Sequence, residues 1–298
     1  PILPNEESWM RFSAQKRKEY SDIKCPGLGL LTMNNFGSSV LKKESKRISH
    51  SFQSGKIYFL ESSSGDGKSI FMESLAGRTR HVGHAWVRRN NEMVPIVNMS
   101  QKELEDLVAY FTPGRSGEGM RIVDLFTNQL VTLLEKKKIE EKLLRPMLVE
   151  DSLLERMMQG QLNSWEHDVF GVEEIKDLLQ GQRQLRAEIV QKALSRLGKN
   201  IDSVSPFDST AALSKGMLIR AQLGSFLDSE SNILLLDEPI SSLDPQSAKD
   251  VMSEVFEKIK NDPNRAIIVV THAHKQEIIE LAQETLGQEN VEFLDLEK

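Results

Sequence analysis

Residues 62–70 read SSSGDGKSI, and they follow the apolar run IYFL at 57–60 with one residue between. A phosphate-binding loop needs a strand before it and a helix after it, and KIYFL (56–60) and SIFMESLAG (69–77) have those two patterns. Gly65 and Gly67 let the backbone fold tightly enough for successive N–H groups to converge on a phosphate, and the following helix start adds partial positive charge. Lys68 is then placed to reach the outer phosphates and Ser69 to ligate Mg²⁺. The candidate binding stretch is therefore Ser64, Gly65, Asp66, Gly67, Lys68, Ser69 and Ile70. One position departs from G-x-x-x-x-G-K-[ST]: the first glycine is Ser62.

A second acidic site supports the first. ILLLDEP (233–239) is a continuous apolar run that ends in Asp237 and Glu238. Such a run suits a strand of a parallel sheet covered on both faces, and its acids emerge at the C-terminal edge, where ligand sites of α/β sheets lie. Asp237 is placed to hold Mg²⁺ through water, and Glu238 to accept a proton from an attacking water.

Working outward, RISHSFQ and GLGLLTM before the loop, and HAWVRRN and VPIVNMS after it, read as strands separated by polar turns. RAIIVVTHAH (265–274) is a further buried strand. Residues 102–200, beginning with KELEDLVAYF, carry apolar positions at three and four spacing and read as a helical block. Its run EKKKIEEK is a solvated face of opposite charges, and its tail from Arg183 to Lys199 is locally basic. Residues 1–26 read as an N-terminal extension with one helix around 8–20 and no assigned chemistry. The expected division is an extension at 1–26, a core at 27–101 and 205–298, and a helical subdomain at 102–204.

Composition limits the classes of function. Hydrophobic residues form 39% and charged residues 28% of the 298, which is the balance of a globular chain. The net charge of −6 gives no chain-wide attraction for nucleic acid, so a nucleic-acid partner is not indicated by overall charge. The lone Cys25 excludes an internal disulfide framework and fits a reducing compartment. No run of about 18 apolar residues and no signal-peptide pattern occurs, so the chain is expected neither to span a membrane by itself nor to be exported by that route, and the expected location is cytoplasmic.

Taken in order, the motifs resemble those of the ATP-binding cassette (ABC) ATPase family. ALSKGMLIRAQL is similar to the family's signature, with Leu213, Ser214, Gly216 and Arg220 matching and Lys215 and Met217 standing in place of Gly and Gln. ISSLD (240–244) resembles the D-loop, and His272 resembles the switch histidine. Gln101 is similar to the Q-loop glutamine, which implies catalytic and metal roles for it, and Phe36 is a candidate for the aromatic that stacks on adenine. The resemblance covers 27–101 and 205–298 well. It implies an α/β fold, a P-loop NTPase core of ABC ATPase type with a mixed sheet, and an enlarged helical subdomain between Q-loop and signature. Gln101 to Leu213 is about twice the span the family places there.

The implied activity is hydrolysis of MgATP by a head-to-tail homodimer or heterodimer. In it, Ser214 and the Gly216 N–H of one copy meet the γ-phosphate held by the other. His272 contacts that phosphate and orients the Glu238 region. Lys68, Gln101, Glu238 and His272 form the implied catalytic set, with Ser69, Asp237 and Gln101 at the metal. Two roles share this engine. One is the nucleotide-binding subunit of a membrane transporter, working on a transmembrane subunit; the other is a soluble ATPase acting on DNA, the ribosome or another protein.

Overall fold

The computed structural model describes residues 6–21, 23–39, 47–62, 67–113, 156, 205, 209–227 and 229–296. The helical block read from sequence at 102–200 falls outside the described residues except for 102–113 and residue 156. The chain divides into two compact units, Pro1–Pro113 with Ser229–Lys298, and Gly114–Asp228.

The first unit is built on two sheets. The strands β1 (Leu31–Ser38), β2 (Ile48–Phe52), β4 (His81–Arg89) and β5 (Glu92–Pro95) form an antiparallel sheet in the order β2-β1-β4-β5. The strands β3 (Ile57–Glu61), β6 (Val108–Phe111), β7 (Ile233–Asp237), β8 (Ala266–Val270) and β9 (Val291–Asp295) form a parallel sheet in the order β6-β7-β8-β3-β9. Every residue of β7 and β8 is buried. Helices must therefore cover both faces, as the unbroken ILLL and AIIVV runs require.

The helices of the two units are clearly delimited. The phosphate-loop helix α2 spans Lys68–Leu75 and begins after Gly67, whose φ of 87° is a left-handed conformation open to glycine at little steric cost. Helix α3 spans Gln101–Leu107 and is opened by a capping box, in which the Ser100 hydroxyl accepts from the Glu103 N–H and the Glu103 carboxylate accepts from the Ser100 N–H. In the second unit, α4 spans Lys215–Leu227. Back in the first, α5 (Pro245–Asn261) buries Ala248, Val251, Met252, Val255, Phe256 and Ile259, a stripe at three and four spacing. Asp244 caps it by accepting from the Ser247 N–H, and Pro245 stands at the first helical position, where no N–H is needed. Helix α6 (Lys275–Leu286) buries Ile278, Ile279 and Ala282.

Two expectations from sequence change. VAYF (108–111) is not helical: α3 stops at Leu107, and Val108–Phe111 pairs in register with Ile233–Leu236. β-branched and aromatic residues beside an apolar strand gain more from the ladder than from one further helical turn. VPIVNMS is a strand only as far as Pro95, after which Ile96–Asn98 tightens into a 3₁₀ turn that buries Ile96 and Val97.

The N-terminal segment belongs to the core. Helix α1 (Glu6–Tyr20) turns Trp9, Phe12 and Tyr20 inward, and Trp9 is wholly buried. The Trp9 indole N–H donates to the Met99 carbonyl at 2.9 Å, and the Arg17 guanidinium donates to the Val97 carbonyl at 3.1 Å. The Glu6 carboxylate accepts from the Gln101 backbone N–H at 2.9 and 3.1 Å, and so adds negative charge at the start of α3. The Tyr20 hydroxyl accepts from the Ala85 N–H at 2.9 Å. The segment before α3 is thus held along much of its length by α1.

Candidate functional site

Three neighbouring strands of the parallel sheet, β7, β8 and β3, end on the same edge and deliver the expected chemistry there. From β3 come Ser62 and, across the loop, Gly67 and Lys68; Ser64, Gly65 and Asp66 lie outside the described residues. The Lys68 ammonium is buried and donates to the Ser62 carbonyl at 2.9 Å and to the Ser62 hydroxyl at 3.3 Å. Ser69 is exposed at the start of α2, and Ile70 is half-buried, its carbonyl accepting from the Ser74 hydroxyl at 2.8 Å.

From β7 comes Asp237, only 4% exposed. Its Oδ2 accepts from the Tyr110 hydroxyl at 2.8 Å, while its Oδ1 is buried and has no hydrogen-bond partner among the described residues. A buried carboxylate oxygen without a donor is costly unless something else meets it. A hydrated divalent cation fits that place, since Mg²⁺ is commonly held by one or two carboxylates together with substrate phosphates and retained waters. Asp237 and the exposed Ser69 hydroxyl are the residues that suit it.

The next residue, Glu238, turns out of the strand with φ 51°, a left-handed conformation that is strained for a residue with a side chain. Its N–H donates to the Val270 carbonyl at 2.9 Å, which ties the turn to the end of β8. Beyond that end, the His272 N–H donates to Glu238 Oε2 at 3.3 Å, and His272 Nε2 lies 3.7 Å from Oε1. Glu238 and His272 are both solvent-accessible and face each other at the sheet edge. Lys275 pairs with Glu61 at 2.6 Å, joining the segment after His272 to the strand end before the phosphate loop.

The neighbouring motif has a structural share. In 240–244, Ile240 and Leu243 are buried, Ser241 and Ser242 are exposed, and Asp244 is the cap of α5. Hydrogen bonds from the Ser247 hydroxyl and N–H hold the Asp244 carboxyl below the usual carboxylate range. His274, itself at φ 51°, has Nε2 at 3.2 Å from the Leu243 carbonyl, so it links the two loops.

Two residues expected at the site are placed elsewhere. Phe36 is fully buried, its ring stacked on His81 at 5.0 Å and edge-on to Phe71 at 5.7 Å, and no face is open to an adenine. An aromatic on a strand that packs on the phosphate-loop helix gains more by joining the core than by facing solvent. Gln101 opens α3, with its side chain toward Glu105 of its own helix at 3.5 Å and its N–H on Glu6. Among the described residues no hydrogen bond joins it to Asp237, Glu238 or His272. The side chain delivered to Asp237 is Tyr110, from the strand that sequence reading had merged into the helical block.

The second unit holds the signature segment. Ser214 caps α4, its hydroxyl accepting from the Met217 N–H at 3.3 Å and its carbonyl from the Leu218 N–H at 2.9 Å. Ser214 and Lys215 are exposed and Gly216 is half-buried, so the first turn of α4 presents a serine hydroxyl and helix N–H groups to solvent.

The sequence model of the family described as ABC transporter matches residues 45–241, about two thirds of the chain. The chain belongs to the ABC transporter family. Among curated relatives, this ABC chain is 33% identical over 107 residues to the energy-coupling factor transporter ATP-binding protein EcfA2 of Spiroplasma kunkelii, covering 35% of this chain and 33% of that protein. It is 28% identical over 159 residues to EcfA2 of Bacillus licheniformis, covering 53% and 49%. A shorter match, 40% over 75 residues, is to the phosphonates import ATP-binding protein PhnC of Lactococcus lactis, covering 25% and 30%. The chain thus spans between a quarter and a half of the length of these relatives.

Solved structures agree on the fold. CbiO1 of Clostridium perfringens, described as part of the ABC transporter complex cbiONQ, superposes with a TM-score of 0.52 at 17% identity, covering 83% of this chain and 79% of that one. A dimeric ATP-binding cassette in a post-hydrolysis state with ADP and Pi superposes with a TM-score of 0.54 at 13% identity, covering 90% and 95%. The likeness is one of fold, and the parallel and antiparallel strands expected here are present, divided between two sheets.

Proposed function

We propose that this ABC-family chain binds MgATP and hydrolyses it as the nucleotide-binding subunit of a membrane transporter. The observation that carries the reading is the convergence of Lys68, Asp237, Glu238 and His272 on one edge of the parallel sheet. Lys68 neutralises the outer phosphates once it exchanges the Ser62 oxygens for phosphate oxygens, and the α2 N-terminus adds its partial charge. Mg²⁺, when bound, offsets the charge that develops on the transferred phosphoryl group. Glu238 accepts the proton of the attacking water, and His272 fixes the orientation of that carboxylate through its backbone N–H. Ser64, Gly65 and Asp66 complete the cradle. Ser214 and Gly216 on α4 supply donors to the nucleotide of a second copy or of a related ATPase, in a head-to-tail dimer.

The transporter role is supported by relatives named as ATP-binding proteins of transporters. It places the chain against the inner face of a membrane through a transmembrane partner. Among the described residues no helix is long and apolar enough to cross a membrane. A second reading, an ATPase acting on DNA, the ribosome or another protein, is favoured by the length between Gln101 and Leu213. What copurifies with the native protein separates the two: a membrane protein supports the first, ribosomes or nucleic acid the second.

The hydrolytic reading is tested by comparing Glu238→Gln with the wild type for ATP turnover, with oligomeric state followed with and without MgATP. The expected result is a loss of about 100-fold or more in turnover, with a dimer that accumulates on ATP. Unchanged turnover together with no ATP-dependent dimer would overturn it.

A further inference from the structure

We infer that Tyr110 is a positioning residue for the metal-holding carboxylate: it occupies one oxygen of Asp237 and so reserves the other for the hydrated cation. The inference rests on the reading of Asp237 as a Mg²⁺ ligand and goes beyond it, since neither the loop motif nor the carboxylate motif contains residue 110.

The register of the sheet sets up the contact. Tyr110 pairs with Leu235, so the two side chains share one face of the sheet, and Asp237, two residues beyond Leu235, lies on that face as well. Tyr110 is therefore the diagonal cross-strand neighbour of Asp237, a separation that an aromatic side chain spans. Its hydroxyl donates to Oδ2 at 2.8 Å, the length of a well-formed bond, and both residues are at least nine-tenths buried. Among the described residues, Oδ1 of the same carboxylate meets no donor.

The two oxygens are thus made unequal by the fold. An unrestrained carboxylate can rotate or bind a cation through both oxygens; one whose Oδ2 is held by a buried phenol presents Oδ1 in a single orientation. Arg78 strengthens the arrangement. Its guanidinium carbon lies 4.9 Å from the centroid of the Tyr110 ring, and a cation on a ring face draws electron density from the ring and makes the hydroxyl a better donor. Groups that hold a metal ligand in place from behind are commonly worth 10- to 100-fold in metal affinity.

The test uses the full chain with ATP and Mn²⁺ as a paramagnetic probe of the Mg²⁺ site, with uptake followed by electron paramagnetic resonance. ATP binding in EDTA and the Mg²⁺ dependence of turnover are measured beside it. Tyr110→Phe is expected to weaken Mn²⁺ uptake about 10-fold and to raise the Mg²⁺ concentration at half-maximal turnover, while metal-free ATP binding stays within about twofold of wild type. Adding Tyr110→Phe to Asp237→Asn is expected to cause no further loss of Mn²⁺ uptake, because the tyrosine acts through the carboxylate.

Equal Mn²⁺ uptake in Tyr110→Phe and wild type would overturn the inference. So would an equal loss of ATP binding with and without metal, which marks a packing role only. If Tyr110→Phe does not fold, para-aminophenylalanine at 110 keeps a donor at the same point of the ring and must retain Mn²⁺ uptake; its loss would also overturn the inference. A wild type that takes up no Mn²⁺ with ATP removes the reading of Asp237 itself. A wild type that does so while Tyr110→Phe is unaltered removes only the role of Tyr110.

Discussion

The Lys68 ammonium is folded back onto Ser62, 2.9 Å from its carbonyl and 3.3 Å from its hydroxyl, at the position where the phosphate-loop pattern has its first glycine. The stronger of the two bonds goes to the main chain and survives any substitution at 62. The hydroxyl contributes one longer hydrogen bond to a charged donor. Ser62→Ala is therefore expected to change ATP affinity by no more than about threefold. Lys68→Ala removes the cation itself and is expected to weaken binding by about 30-fold or more, since charge-assisted contacts to phosphate are worth about 2 kcal/mol or more. Titration with a fluorescent ATP analogue compares the two. A Ser62→Ala loss as large as that of Lys68→Ala would show that the hydroxyl, and not the carbonyl, anchors the lysine.

Glu238 carries both the proposed base and a backbone strain. Its left-handed φ of 51° is held by the N–H bond to Val270 and by the His272 N–H on its carboxylate. A residue with a Cβ there costs on the order of 1 kcal/mol or more relative to glycine. Glu238→Gly is accordingly expected to stabilise the fold by about 0.5–1 kcal/mol in urea denaturation while abolishing turnover. A destabilised Glu238→Gly would mean that the carboxylate contacts outweigh the strain. The opposite movement of stability and activity is the expected signature of a strained catalytic position.

The parallel sheet was legible because ILLLD and AIIVV have no alternation, and only strands covered on both faces read that way. The strand-to-helix junction at Gly67 and Lys68 was legible because KIYFL and SIFMESLAG carry the two patterns on either side of it. VAYF was not, since four residues after a short helix continue its spacing, and only the partner strand 125 residues away in sequence, at Ile233, decides between the two. Losing that strand hid Tyr110. It also left Gln101 as the last polar residue before the block, although it is the first turn of a capped helix. Phe36 was misplaced for a related reason: its burial comes from Phe71 and His81, which lie far along the chain. The signal missed in the N-terminal segment was present, for Trp9, Phe12 and Tyr20 sit at helical spacing and mark a buried stripe.

That stripe makes the N-terminal helix part of the fold rather than an appendage. Trp9 is fully buried and bonded through its indole to Met99. Trp9→Ala is expected to destabilise the first unit by about 3–5 kcal/mol, and Trp9→Phe, which keeps most of the buried area, by about 1–2 kcal/mol. Glu6→Gln keeps an acceptor for the Gln101 N–H and removes only the charge at the start of α3, so about 0.5 kcal/mol is expected. Urea denaturation of the three variants gives the order. If Trp9→Ala costs less than 1 kcal/mol, the helix is not part of the cooperative core.

His81 gives the fold a dependence on pH. It is 1% exposed, stacked on Phe36 and edge-on to Phe12, with Nε2 3.4 Å from the Tyr20 hydroxyl and, among the described residues, Nδ1 without a partner. Burial first, and then the charge of Lys16, pushes its pKa down to about 3. Between about pH 6.5 and pH 3 the unfolded chain therefore takes up a proton that the folded chain refuses. Stability falls as pH drops through the unfolded histidine pKa, by about 1.4 kcal/mol for each unit below it, and is unaffected by this group at higher pH. His50 and His84, whose pKa values burial also lowers, act in the same direction. His81→Phe places an aromatic ring in an aromatic nest and removes the titration. Its stability relative to wild type is expected to rise by about 1.4 kcal/mol per pH unit from pH 6 down to pH 4, read by urea denaturation at each pH. A difference between the two proteins that does not vary with pH would show that His81 is protonated in the folded state and that its burial is not what sets the acid limb.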